Sequence, residues 1–157
     1  MKPNAATANA ATAEPGADCP LCPRLVDYRA ANKAAFPDYC NAPAPSFGGA
    51  DARLLVVGLA PGLHGANRTG RPFTGDFAGD LLYATLLKFG CARGRYGADP
   101  KDGLRLDRAM ITNAVRCAPP QNKPTPVSVA LASNCHHPLP SVTPATASER
   151  GTMSDHT

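Results

Sequence analysis

No stretch of about 20 apolar residues occurs in the 157-residue sequence, so no segment is expected to span a membrane. Residues 1–17 are mostly Ala, Thr, Asn and Pro, with no apolar periodicity and none of the apolar core of a secretory leader. They read as a disordered arm. With neither leader nor span, the expected compartment is the cytoplasm. At the other end, residues 127–157 contain no Phe, Tyr, Trp or Ile, and Pro138, Pro140 and Pro144 interrupt them. Such a tail is expected to be irregular, without a long helix or a central strand. Residues 18–126 remain, which is enough chain for one domain with a buried core.

What the sequence does hold is concentrated in residues 53–79. Leu54, Leu55, Val56 and Val57 form a continuous apolar run ended by Gly58, too short for a buried helix. It predicts a central strand covered on both faces. Five more glycines follow, at Gly62, Gly65, Gly70, Gly75 and Gly79. Glycine at this density lets backbone N–H groups come close to a ligand. From Asp76 onward, Ala78, Leu81, Leu82, Leu86 and Phe89 fit one face of a helix, with Asp76 at its first turn. Strand, glycine-rich loop and helix put the loop beyond the carboxyl end of a strand, where ligands sit in open α/β sheets. Residues 106–115 read as a second strand with Asn113 at its functional end, giving a βαβ unit and a parallel sheet. A generic nucleotide-binding protein fits poorly, because there is no Walker lysine and no acidic ribose-binding residue at a credible distance.

Cys19-Pro20-Leu21-Cys22 is a C-x2-C element followed by a helix-compatible pattern to Ala35. Zinc, an iron–sulfur cluster and a redox pair are its ordinary readings. No strand precedes it, as a thioredoxin-like redox unit would need. A metal site needs further ligands, and Cys117 is the best third. Cys40 and Cys91 have no partner spacing and read as small buried thiols. The formal net charge is +4, and eight cationic against three acidic side chains lie between Lys88 and Lys123. A phosphate-binding face would need such an excess, and a solvated loop would also show it.

Gly58-Leu59-Ala60-Pro61-Gly62, with the run from His64 to Asp76 (His-Gly-Ala-Asn-Arg-Thr-Gly-Arg-Pro-Phe-Thr-Gly-Asp), resembles motif one of the uracil-DNA glycosylase superfamily, and more narrowly its family 5. Residues 112–120 are similar to the second conserved block, and the resemblance covers roughly residues 18–126. It implies a three-layer α/β fold with a central parallel sheet. The implied activity is hydrolysis of the N-glycosidic bond of uracil in DNA during base excision repair, with other deaminated bases as further substrates. The implied enzyme is a monomer acting on DNA containing uracil. The resemblance also favours a [4Fe–4S] cluster over zinc, held by Cys19, Cys22 and Cys117, with Cys135 as fourth ligand.

The chemistry assigns roles within that resemblance. A flipped-out base needs a flat apolar surface, and Phe73 is the candidate stacker. Telling uracil from cytosine takes a group that accepts from N3–H and donates to O4, and the Asn113 carboxamide does both. Backbone N–H groups near Ala60 and Gly62 would stabilise uracil O2. Other families carry a polar, water-positioning residue at the place of Ala60, so the resemblance points to Asp76 as the substitute carboxylate. Each assignment has a plain alternative: a helix N-cap for Asp76, a strand-end turn cap for Asn113, core packing for Phe73. His64 either contacts substrate or faces solvent. The family's third block, a His-Pro-Ser type loop, is matched by residues 136–141 in letters but not in spacing or setting. The match reads as accidental, and the change of composition near residue 127 suggests a chain that has lost its C-terminal portion. The fold is then expected to be incomplete at that end, and a non-catalytic remnant that binds a cluster or nucleic acid stands as the second reading.

Overall fold

A computed structural model describes residues 14–133 of the chain. Residues 1–13 of the expected arm, Cys135, and the His-His-Pro stretch at 136–138 lie outside the described residues. Helix α1 (Pro23–Ala35) starts on a proline whose fixed φ suits a first helical turn, and the Cys22 carbonyl accepts from the amides of Leu25 and Val26. Then come β1 (Phe47–Gly48), β2 (Leu54–Gly58) and the single-turn α2 (Ala66–Thr69), which Gly70 closes at φ 79°. Helix α3 (Phe77–Lys88) leads to β3 (Ala92–Arg93), β4 (Arg105–Leu106), β5 (Ala109–Asn113) and α4 (Pro126–Ser133).

The main sheet has the order β1-β5-β2. Strands β2 and β5 run parallel, from Leu54 opposite Ala109 to Gly58 opposite Asn113, and α3 lies in the connection between them. The expected βαβ unit is therefore present, in an α/β fold. Strand β1 adds antiparallel to the other side of β5, and β3 with β4 makes a separate antiparallel pair. One core packs Tyr83 and Leu86 of α3 with Ala92, Leu104 and Ile111, while a second joins Leu25 of α1 to Val115 and Ala132.

Three expectations need correction. Among the described residues the apolar run of β2 is an edge strand, not a central one, with Leu54 41% and Val57 52% exposed. The central strand is β5, buried at all five positions. A short apolar run marks a strand without saying how many neighbours it has. The strand read over residues 106–115 is broken at Arg108, whose φ of 48° turns the chain so that Leu106 pairs with Ala92 and Ala109 starts afresh on β2. Residues 126–133 are helical, where irregular chain was expected from 127: Pro126 suits the first turn, and the Thr125 hydroxyl accepts from the Ser128 amide at 3.2 Å.

The basic stretch is divided: Arg93, Arg105 and Arg108 line one open depression with Asp51 and Asp107, while Arg116 and Asp102 turn inward. Arg116 is buried, donating to the Ala44 carbonyl at 3.1 Å, to Ser46 Oγ at 2.8 Å and to Glu14 Oε2 at 2.6 Å. Arg93 pairs with Asp107 at 2.7 Å. Asp102 is taken up by the buried Arg71, at 2.7 Å. The Arg71 hydrogen bonds, helped by the amides of Gly97 and Leu104, hold the Asp102 carboxyl far below the usual carboxylate range despite the upward push of burial. A depressed folded value means the carboxylate contributes stability above its ordinary pKa of about 4, and that contribution is lost as pH falls below it. Urea midpoints measured from neutral pH downward are therefore expected to drop more steeply for the wild-type chain than for Asp102→Asn.

Candidate functional site

Gly58 and Asn113 face each other on the last rung of the parallel pair, and the strands remain joined just beyond it by Ala114 N–H to the Gly58 carbonyl at 2.8 Å. The glycine-rich chain rises from these carboxyl ends and returns at Asp76, enclosing a cavity of about 100 Å3 that opens to solvent. The cavity brings together all five residues singled out for substrate: Ala60, Gly62, Phe73, Asp76 and Asn113.

Asn113 is buried, and no side-chain hydrogen bond to another described residue occupies its carboxamide, which faces the cavity. Phe73 is half-buried, and its ring both packs on the α3 core and lines the cavity, so the stacking and packing readings share one side chain. Its backbone sits at φ 54°, a left-handed conformation costly for a non-glycine residue. Asp76 is exposed and is the N-cap of α3, its Oδ1 accepting from the Gly79 amide at 2.8 Å. The cap reading is thus met, with the carboxylate also on the cavity wall. Among the described residues, the N–H groups of Ala60 and Gly62 donate to no backbone partner. His64 lies off the cavity: it is exposed, with Nδ1 3.0 Å from the Tyr39 hydroxyl and its ring edge-on to Phe36.

Gly58 is what lets the two key side chains converge. A Cβ there would meet the Phe73 ring at 2.8 Å and the Asn113 Oδ1 closer still. Gly58→Ala is expected to lose about 1–3 kcal/mol of stability in urea unfolding. Gly62→Ala, whose added Cβ meets nothing within 4 Å, is expected to stay within about 0.5 kcal/mol of wild type. Sequence reasoning missed Thr74, a buried residue on the cavity wall whose hydroxyl donates to the Arg71 carbonyl at 2.9 Å. No spacing rule marks a threonine that acts by bracing a loop.

Cys19, Cys22 and Cys117 line a second, largely apolar pocket with Leu25, Val115 and Ala132. Arg29 spans it, one guanidinium nitrogen 3.5 Å from Cys117 Sγ and the other donating to the Cys19 carbonyl at 3.0 Å. Burial pushes the Cys117 thiol up, partly offset by Arg29. Among the described residues, no three His, Cys, Asp or Glu side chains are grouped to hold a metal ion. Cys40 is exposed rather than buried, and Cys91 is half-buried.

The family model described as the uracil DNA glycosylase superfamily matches residues 45–144. The chain belongs to that superfamily. The match takes in β1 through β5 and the whole cavity, and it runs past residue 126, where the sequence-based resemblance ends. The type-5 uracil-DNA glycosylase of Thermus thermophilus is 52% identical over 113 residues, covering 69% of this chain and 51% of the relative. That of Mycobacterium bovis is 51% identical over 114 residues, covering 69% of this chain and 42% of the relative. A type-4 uracil-DNA glycosylase of Thermotoga maritima is 36% identical over 91 residues, covering 57% of this chain and 38% of the relative. The chain thus spans about half the length of the type-5 relatives it matches. No helix among the described residues of this superfamily member is long and apolar enough to cross a membrane.

Proposed function

We propose that the chain is a uracil-DNA glycosylase of the type-5 kind, hydrolysing the bond between uracil N1 and the sugar C1′ in DNA. The observation that carries this reading is the single cavity into which Ala60, Gly62, Phe73, Asp76 and Asn113 converge at the carboxyl ends of β2 and β5. A flipped-out uracil would stack on Phe73 while Asn113 accepts from its N3–H and donates to its O4. As the C1′–N1 bond breaks, its electron pair passes to N1 and O2 of the ring, where the unused N–H groups of Ala60 and Gly62 would meet the charge. Water forms the new bond to C1′. The Asp76 carboxylate would orient that water, take its proton and stabilise the positive sugar. Gly79 draws on Oδ1 alone, which leaves the second oxygen for this work.

Cys19, Cys22 and Cys117 are the proposed ligands of a [4Fe–4S] cluster: they line one apolar pocket beside a guanidinium that offsets thiolate charge, and their side chains as placed would have to draw together to hold it. When bound, the cluster would supply a structural cross-link between the start of α1 and the segment after β5. Cys135, the proposed fourth ligand, lies outside the described residues. Cys117→Ser is expected to lose most of the iron and acid-labile sulfide that the purified chain carries. Unchanged iron content in that variant would remove Cys117 from the ligand set.

The test of the activity is release of free uracil from a uracil-containing oligonucleotide by the 157-residue chain, with a thymine-containing strand as control. Uracil release in proportion to enzyme supports the reading. No release by chain that carries iron and unfolds cooperatively favours the second reading, a non-catalytic member that keeps cluster or DNA binding.

A further inference from the structure

Phe73 holds a left-handed φ of 54° on the cavity wall. Such a conformation costs a non-glycine residue about 1–3 kcal/mol and persists only where its surroundings impose it. The surroundings are specific. The Tyr83 hydroxyl donates to the Pro72 carbonyl at 2.6 Å, and the Tyr96 hydroxyl reaches the Phe73 carbonyl at 3.4 Å. Thr74 ties back to the Arg71 carbonyl, and Arg71 N–H donates to Thr69 Oγ1 at 3.2 Å. Beneath them sits the Arg71 guanidinium, 3% exposed, donating through both terminal nitrogens to the two oxygens of Asp102, at 3.0 and 2.7 Å. Phe47, Tyr83 and Tyr96 surround it, with ring centroids 5.2–5.4 Å away. Asp102 in turn accepts from the amides of Gly97 and Leu104, which fixes its own loop.

We propose that Arg71 and Asp102 are positioning residues for the glycosylase cavity, a clamp that holds Phe73 in its stacking pose and sets the start of α3 at Asp76. The clamp rests on the glycosylase reading given above. Neither residue lines the cavity. The fork fixes Arg71 against the rings of Tyr83 and Tyr96, whose hydroxyls hold the Pro72 and Phe73 carbonyls, and with Thr74 on the Arg71 carbonyl these contacts keep Phe73 in its left-handed turn. The Phe73 carbonyl lies directly against Gly79, so close that a Cβ there would collide with it, and Gly79 supplies the amide that caps onto Asp76. One rigid path therefore runs from Asp102 to both the stacking ring and the catalytic carboxylate. Lysine at position 71 keeps the charge and the cage contact but cannot form the two-pronged bond. Among the described residues Arg71 Nε has no hydrogen-bond partner, so the fork to Asp102 supplies all the hydrogen bonds that orient the guanidinium within its cage.

The test uses the full chain with Arg71→Lys, and Arg93→Lys as the same exchange at an exposed ion pair. Two quantities are read: the kcat and KM for uracil release, and amide hydrogen exchange at Phe73–Asp76 compared with Met110 and Ile111 in β5. Arg71→Lys is expected to lower kcat about tenfold or more, since small misplacement of reacting groups is costly. Its KM for DNA should stay within about twofold. Exchange should rise about tenfold at residues 73–76 and not in β5. Arg93→Lys should change neither quantity. Wild-type kcat in Arg71→Lys, or exchange that rises equally in β5, overturns the clamp. A wild-type chain that releases no uracil instead overturns the glycosylase reading on which the clamp depends.

Discussion

Replacing Asn113 with alanine is expected to lower kcat/KM for uracil release about a thousandfold while leaving stability within about 1 kcal/mol of wild type. The two halves of that result have different causes. The carboxamide is buried at the end of β5 and bonds to no other described side chain, so its removal orphans nothing inside the protein. Its donor and acceptor both face the cavity, where a base would take them up. Losing both bonds to a desolvated uracil edge is worth about 4 kcal/mol, which is the thousandfold. Steady-state kinetics and urea unfolding on the same preparation check it. A large loss of stability with modest loss of rate would return Asn113 to the role of a strand-end cap.

The second large effect concerns Asp76, where two roles share one side chain and two substitutions separate them. Asp76→Asn keeps an oxygen for the Gly79 amide, and asparagine caps helices about as well as aspartate. Its stability should match wild type. It removes the charge that would steady the developing sugar cation, so uracil release should fall about a hundredfold to a thousandfold. Asp76→Ala should lose the same activity and about 1 kcal/mol of stability besides, because the cap goes too. Full activity in Asp76→Asn would leave the residue a cap and nothing more.

How far the sequence could be read depended on whether a feature was local. The turn from β2 through the glycine-rich chain to α3 was legible because each step has its own signal: apolar run, glycine, capping aspartate. All five residues singled out for substrate fell into one cavity for the same reason, since they belong to two short stretches that lie at or follow the ends of parallel strands. The place of β2 at the edge was not legible, since neighbours in a sheet leave no mark on a run of Leu and Val. Nor was the break at Arg108, where a charged residue takes a left-handed turn inside what reads as continuous strand. The Arg71–Asp102 clamp joins residues 31 apart, and in sequence Asp102 counts only as one acid in a basic stretch. Arg116 likewise counts as surface charge until Glu14, Ser46 and Ala44 are seen around it.

The most direct measurement is an NMR titration of the isotopically labelled 157-residue chain with uracil and, separately, with cytosine. If the cavity is a uracil site, uracil will shift the Asn113 side-chain amide and the backbone amides of Ala60 and Gly62 to saturation, while cytosine leaves them in place. Equal shifts with the two bases, or none with either, would contradict recognition of uracil by this cavity.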